Sequence, residues 1–151
     1  YMLGSSLDGK IYFTDKISLK GDFNIINALK SEQFGPLPSI SPVFLNLFLN
    51  YEKKKWFASL RYQYRGSKNP EEYSLGGEDG LEETPIISES QGIYAGTPAW
   101  SELSFLTQFS WNENGKITIG LENIFDVHYR SFASGVSAPG RNLRLGLNLK
   151  F

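Results

Sequence analysis

Residues 142–151 read Asn-Leu-Arg-Leu-Gly-Leu-Asn-Leu-Lys-Phe, an alternation without a break. Leu143, Leu145, Leu147, Leu149 and Phe151 are apolar, and Asn142, Arg144, Gly146, Asn148 and Lys150 stand between them. Successive side chains of a β-strand point to opposite faces. The stretch therefore predicts a strand with one apolar face and one wet face, ending on an aromatic residue.

Working back from that strand, the same period of two recurs. Ile117, Ile119 and Leu121 alternate with Thr118, Gly120 and Glu122. Leu103, Phe105, Phe109 and Trp111 alternate with Glu102, Ser104, Gln108 and Ser110. Trp56, Ala58, Leu60, Tyr62 and Tyr64 face away from Ser59, Arg61, Gln63 and Arg65. Leu45, Leu47, Leu49 and Tyr51 form a further set, blurred by Phe44 and Phe48, and Ile17, Leu19, Phe23 and Ile25 another. A weaker pattern covers about Leu3 to Phe13. Together these predict about seven strands of roughly 9–12 residues, the length a tilted membrane strand needs, and no helical period competes with them.

The connections alternate in length. Thr14-Asp15-Lys16, Glu52-Lys53-Lys54 and Asn112-Glu113-Asn114-Gly115 are tight turns. The stretches from about Lys30 to Pro42, Gly66 to Ser101 and Ser131 to Gly140 are long, polar and rich in Gly and Pro. Short turns at one end and long loops at the other are the pattern of outer-membrane β-barrels, with the short turns periplasmic and the long loops extracellular. Tyr12, Phe13, Tyr51, Trp56, Trp111 and Phe151 flank the short turns as an interfacial girdle would, and Tyr62, Tyr64 and Tyr129 are candidates for the opposite girdle. A soluble sandwich or lipocalin-like barrel also alternates. It has no need to segregate its loops by length, and a loop of about 35 residues is uncommon in a compact soluble domain.

Composition narrows the function classes. Lysine plus arginine (15) nearly balances aspartate plus glutamate (16), for a net charge of −1, so nothing points to nucleic acid. Cysteine is absent and His128 is the single histidine, which removes disulfide frameworks, thiolate metal sites and any site needing two imidazoles. No nucleophile elbow, P-loop or paired-histidine zinc motif occurs, so the expectation is no enzyme and no cofactor. No run approaches the roughly 20 apolar residues of a membrane helix, as expected of strands that alternate. The chain opens on Tyr1 without a visible signal peptide. About seven strands would leave two unpaired edges, untenable in lipid. Residues 1–151 are therefore expected to be the C-terminal segment of a larger barrel.

The last third of the sequence carries a resemblance. Gly120-Leu121-Glu122-Asn123-Ile124-Phe125-Asp126-Val127-His128-Tyr129-Arg130 resembles the penultimate strand of TonB-dependent outer-membrane receptors, with their Asn-(Leu/Ile)-(Phe/Leu)-Asp-x-x-Tyr signature. Ala138-Pro139-Gly140-Arg141-Asn142 resembles the Pro-Gly-Arg that opens their last strand, and Phe151 matches their terminal aromatic. Pro36-Leu37-Pro38-Ser39-Ile40-Ser41-Pro42 is similar to a segment before a mid-barrel strand, with Ser41 where that pattern has proline. Phe132-Ala133-Ser134-Gly135 resembles Bacteroidetes-type members. The resemblance implies a barrel of about 22 strands around an N-terminal plug. This chain would supply about the last third of the wall, with the plug and TonB box absent.

The family signature residues Asn123, Phe125, Asp126, Tyr129, Pro139, Gly140 and Arg141 take a mainly structural reading. Asn and Asp side chains bond nearby backbone, and Arg141 can pin the strand start by pairing with a carboxylate. The competing reading, that Asn123, Asp126 and Arg141 line the lumen and touch ligand, ranks second. His128 and Arg130 are candidates to face ligand, His128 also as a haem or metal ligand. Phe151 is expected to act as the signal read by the barrel-assembly machinery, or as an interfacial anchor. The acidic loop from Lys68 to Ser90 reads as a solvated face, with calcium or a cationic ligand as the alternative. The resemblance implies uptake of a scarce, bulky nutrient (a ferric siderophore or other metal chelate, cobalamin, haem or a glycan) across the outer membrane, driven through the TonB complex. The expected surroundings are outer-membrane lipid. A passive porin or an outer-membrane adhesin is the alternative.

Overall fold

A computed structural model describes residues 1–28 and 35–150. Four strands come first: β1 (Met2–Tyr12), β2 (Ile17–Ala28), β3 (Phe44–Lys53) and β4 (Trp56–Arg65). The long connection that follows carries two short strands, β5 (Ile86–Ser88) and β6 (Ile93–Tyr94), and three single 3-10 turns. Then come β7 (Trp100–Asn112), β8 (Gly115–Glu122) and β9 (Asn142–Leu149). The seven long strands make one antiparallel sheet in the order β1-β2-β3-β4-β7-β8-β9, and β5 pairs only with β6. The sheet is open: β1 and β9 are its edges.

Register keeps the two faces distinct over the whole width. One row of directly paired residues runs Ile11, Leu19, Leu49, Leu60, Phe105, Leu121, Leu143 across all seven strands. A slip of one residue in any pair would break this row by turning a strand over. On the other face, Asp22 lies opposite Asn46, Asn46 opposite Gln63, and Gln63 opposite Glu102.

Among the described residues nothing forms a second layer on the apolar face. Leu143, Leu145 and Leu147 are 63–71% exposed, and among the described residues the one buried hydrophobic side chain, Tyr73, lies outside the strands. The accessible surface is 10571 Å², against about 7,700 Å² for a compact monomer of 17.0 kDa. That excess is what a single-layer sheet exposes, and it removes the soluble-sandwich alternative, which buries one sheet on another.

The short turns gather at one end of the sheet and the long connections at the other. In the first turn the Thr14 hydroxyl accepts the Ile17 and Lys16 N–H groups at 3.0 and 3.2 Å, a local substitute for ladder bonds. Trp56 packs against Phe109 at this end, rings 4.6 Å apart, and the Trp111 ring lies on Gly115 beside a bulge in the β7–β8 pairing. The expected girdle needs two corrections. Tyr12 pairs with Ser18 and so belongs to the polar face, where Lys10 sits over its ring. Tyr129 stacks on Trp100, which pairs with Arg65 on that same face.

Candidate functional site

At the long-loop end β8 stops at Glu122, so the strand expected through Arg130 is shorter than its sequence implied. The reason lies in two residues. Asn123 and Asp126 take positive φ, 48° and 57°, the left-handed region that Asn and Asp tolerate best after glycine. Asn123 is buried, and its side-chain amide mimics a peptide group. Its Oδ1 accepts the Val127 N–H at 2.9 Å, while Nδ2 donates to the carbonyls of Val127 (2.9 Å) and Pro139 (3.3 Å). Its own N–H donates to the Ser104 hydroxyl at 3.1 Å. Asp126 Oδ1 then accepts the main-chain N–H of Arg141 at 2.7 Å, one residue before β9. The pairing expected between Arg141 and a carboxylate is thus made by its backbone. A Cβ on Gly140 would come to 2.5 Å from Asp126 Oδ1, so a side chain there would push the carboxylate away from the Arg141 N–H.

The remaining signature residues separate. Phe125 is 70% exposed. The Tyr129 ring stacks on Trp100 at 3.8 Å and 21°. Burial raises the Tyr129 pKa, and the nearby Glu102 carboxylate adds to the rise. His128 is exposed. The Arg130 guanidinium bonds the carbonyl of Glu83 and lies 3.7 Å from the Glu83 carboxylate. Phe151 lies outside the described residues.

In the long β4–β7 connection Glu71, Glu72, Glu78, Glu82, Glu83 and Glu89 are exposed, as a solvated acidic loop implies, and Asp79 is the exception. Lys68 and Asp79 are 3% and 1% exposed and form an ion pair of 3.1 Å. The backbone of Lys68 exchanges two hydrogen bonds with Thr97, 2.9 and 3.0 Å, which closes the connection at its base. Gly96, at φ 73°, brings its Cα against the Lys68 carbonyl where a side chain would collide. The Tyr73 hydroxyl shares a 2.6 Å hydrogen bond with the Thr97 hydroxyl. Burial pushes the Tyr73 phenol above its ordinary pKa. Among the described residues no three His, Asp or Glu side chains converge as metal ligands. Nothing in the sequence marked Lys68; its partners come from segments far apart in the chain.

The polar face carries paired charges. Asn46 donates to Asp22 at 2.6 Å and accepts from Gln63 (3.0 Å) and Arg65 (2.9 Å). Arg61 pairs with the buried Glu102 at 2.8 Å, and Arg144 with Glu122 at 2.6 Å. A cavity of about 320 Å³ on this face has Phe48, Phe57 and Leu106 beside Lys20, Arg61 and Arg144. A second, of about 230 Å³, lies at the long-loop end between Phe44, Arg65, Trp100 and Phe132. These surfaces can orient a ligand by charge and ring contact.

No family model matches the sequence, and no curated protein matches it. Among solved structures the chain is similar to the copper transporter OprC, with a TM-score of 0.79 and 17% identity. The match covers 99% of this chain and 23% of the transporter, so the chain spans less than a quarter of that protein's length. The similarity is one of fold: a wall of consecutive antiparallel strands.

Proposed function

We propose that this chain is part of the wall of a TonB-dependent outer-membrane transporter, about seven staves of a barrel of about 22 strands. The observation that carries the proposal is the exposed apolar face, continuous over seven strands that each pair only with their chain neighbours. Such a face is costly in water at about 25 cal/mol per Å² and matches the hydrocarbon of a bilayer. The polar face then lines the lumen, the long connections lie outside the cell, and β1 and β9 pair with strands beyond this chain. The chain binds no cofactor and catalyses nothing. The TonB complex acts through a plug outside it, and Phe151 serves the barrel-assembly machinery. Signature residues Asn123, Asp126, Gly140 and Arg141 shape the turn into β9. The aromatic and arginine side chains at the mouth meet the nutrient.

Copper is not carried over from OprC. The likeness rests on 17% identity and covers 23% of that protein, so it carries the fold and no metal. The test is accumulation by cells carrying or lacking the full-length gene, offered cupric ion, a ferric siderophore, haem or cobalamin, with and without a protonophore. Gene-dependent uptake abolished by the protonophore is expected. Gene-dependent uptake that survives it would replace this reading with a passive porin.

A further inference from the structure

Lys68 does more than neutralise Asp79. Its ammonium donates to the Ile40 carbonyl at 2.7 Å, on the β2–β3 connection. It pairs with Asp79 inside its own β4–β7 connection. It also lies 4.0 Å from the centre of the Phe132 ring, on the β8–β9 connection. Three segments distant in sequence meet on one atom. Asp79 works from the other side: Oδ1 accepts the Ser39 N–H at 2.7 Å, and Oδ2 accepts the Ser74 N–H at 3.4 Å. Tyr73 meets Phe132 edge to face at 5.9 Å.

Burial gives these contacts their weight. A solvated lysine gains little from a ring or a carbonyl. A buried one has surrendered its hydration and must recover it from its neighbours. Withdrawing any of the three segments leaves a buried ion short of partners. Surface loops ordinarily open singly and at little cost; these are tied. Arg130 on the third connection, bonded to Glu83 on the second, adds a tie outside the buried pair.

We propose that the Lys68–Asp79 pair is a latch that joins residues 36–42, 67–99 and 128–140 of the three long connections into one cap, which opens and closes as a cooperative unit. An entrant to the polar face from this end displaces all three connections or none. The inference holds whether or not the chain serves transport.

Hydrogen exchange read by mass spectrometry on the full-length protein, purified in detergent, tests it. In Lys68→Met, peptides from 36–42, 67–99 and 128–140 should all exchange faster, by on the order of a hundredfold, with β3, β4 and β7 unchanged. Phe132→Leu strands no buried charge and should produce a smaller rise, again in all three segments. It decides the matter if the lysine variant fails to fold. Acceleration confined to 67–99, or exchange unchanged in all three, overturns the latch.

Discussion

The turn after β8 and the knot around Lys68 lie at the same end of the sheet, yet they solve opposite problems. Asn123 is neutral, sits at a strand end and satisfies main-chain groups that the turn would otherwise leave bare. Lys68 is charged, and its ammonium draws on a carboxylate, a carbonyl and aromatic faces from three connections. The first arrangement stabilises backbone that must turn. The second makes buried charge tolerable by gathering distant segments. A local device fails locally, whereas a gathered one fails everywhere it reaches.

Separating the charges tests that contrast most severely. Lys68→Met should cost the cap about 3 kcal/mol, because Asp79 is left buried without its partner, while Lys68→Met with Asp79→Leu should recover most of it. Hydrogen exchange of 67–99 measures both; a double variant no better than the single would mean that the pair gives more than charge balance. Asn123→Asp places an oxygen against the carbonyls of Val127 and Pro139 and should cost about 1–3 kcal/mol. Its effect should centre on 123–127, short of Phe132 and the knot. Exchange in 67–99 rising as far as in Lys68→Met would show the turn and the knot to be one system. Gly140→Ala, which drives a methyl toward Asp126, should cost about 1 kcal/mol in thermal unfolding of the purified protein.

The smallest effect is one of pH. Burial raises the Tyr73 pKa above its ordinary 10.0, opposed by the Thr97 hydrogen bond and aided by Asp79 and Glu72. Since the folded value lies above the unfolded one, this contribution is intact below about pH 10 and is lost as pH climbs through the raised value. Cap protection should fall in that alkaline window more steeply in the native protein than in Tyr73→Phe. Parallel curves would remove Tyr73 from the account.

The sheet was legible because a period of two and a contrast in loop length survive without tertiary information. The seven expected strands appear, and the apolar positions share one face. The alternation of Ile117, Ile119 and Leu121 with Thr118, Gly120 and Glu122 stops where β8 stops; the longer extent came from the resemblance over Gly120–Arg130, and Asn123 and Asp126 end the strand there by bending the backbone with positive φ. Tyr129 looked interfacial because it is aromatic near a strand end; only the fold reveals Trp100 beneath it. Lys68 stands in Gly66-Ser67-Lys68-Asn69-Pro70, followed by glutamates, which reads as solvated chain. Its burial depends on Ile40, Asp79 and Phe132, and no local pattern joins those positions.

The nearest-neighbour order of the sheet has a consequence for how such a protein can change. Each long strand takes its register from an adjoining strand, and the tight turns tie the pairs at one end. The long connections can therefore be rewritten without disturbing the wall. The latch limits that freedom. Grafting a new β4–β7 connection that lacks Lys68 and Asp79 would also release Ser39, Ile40 and Phe132. Any reshaping of this end of the sheet, by evolution or by an engineer, has to exchange these three connections as a matched set.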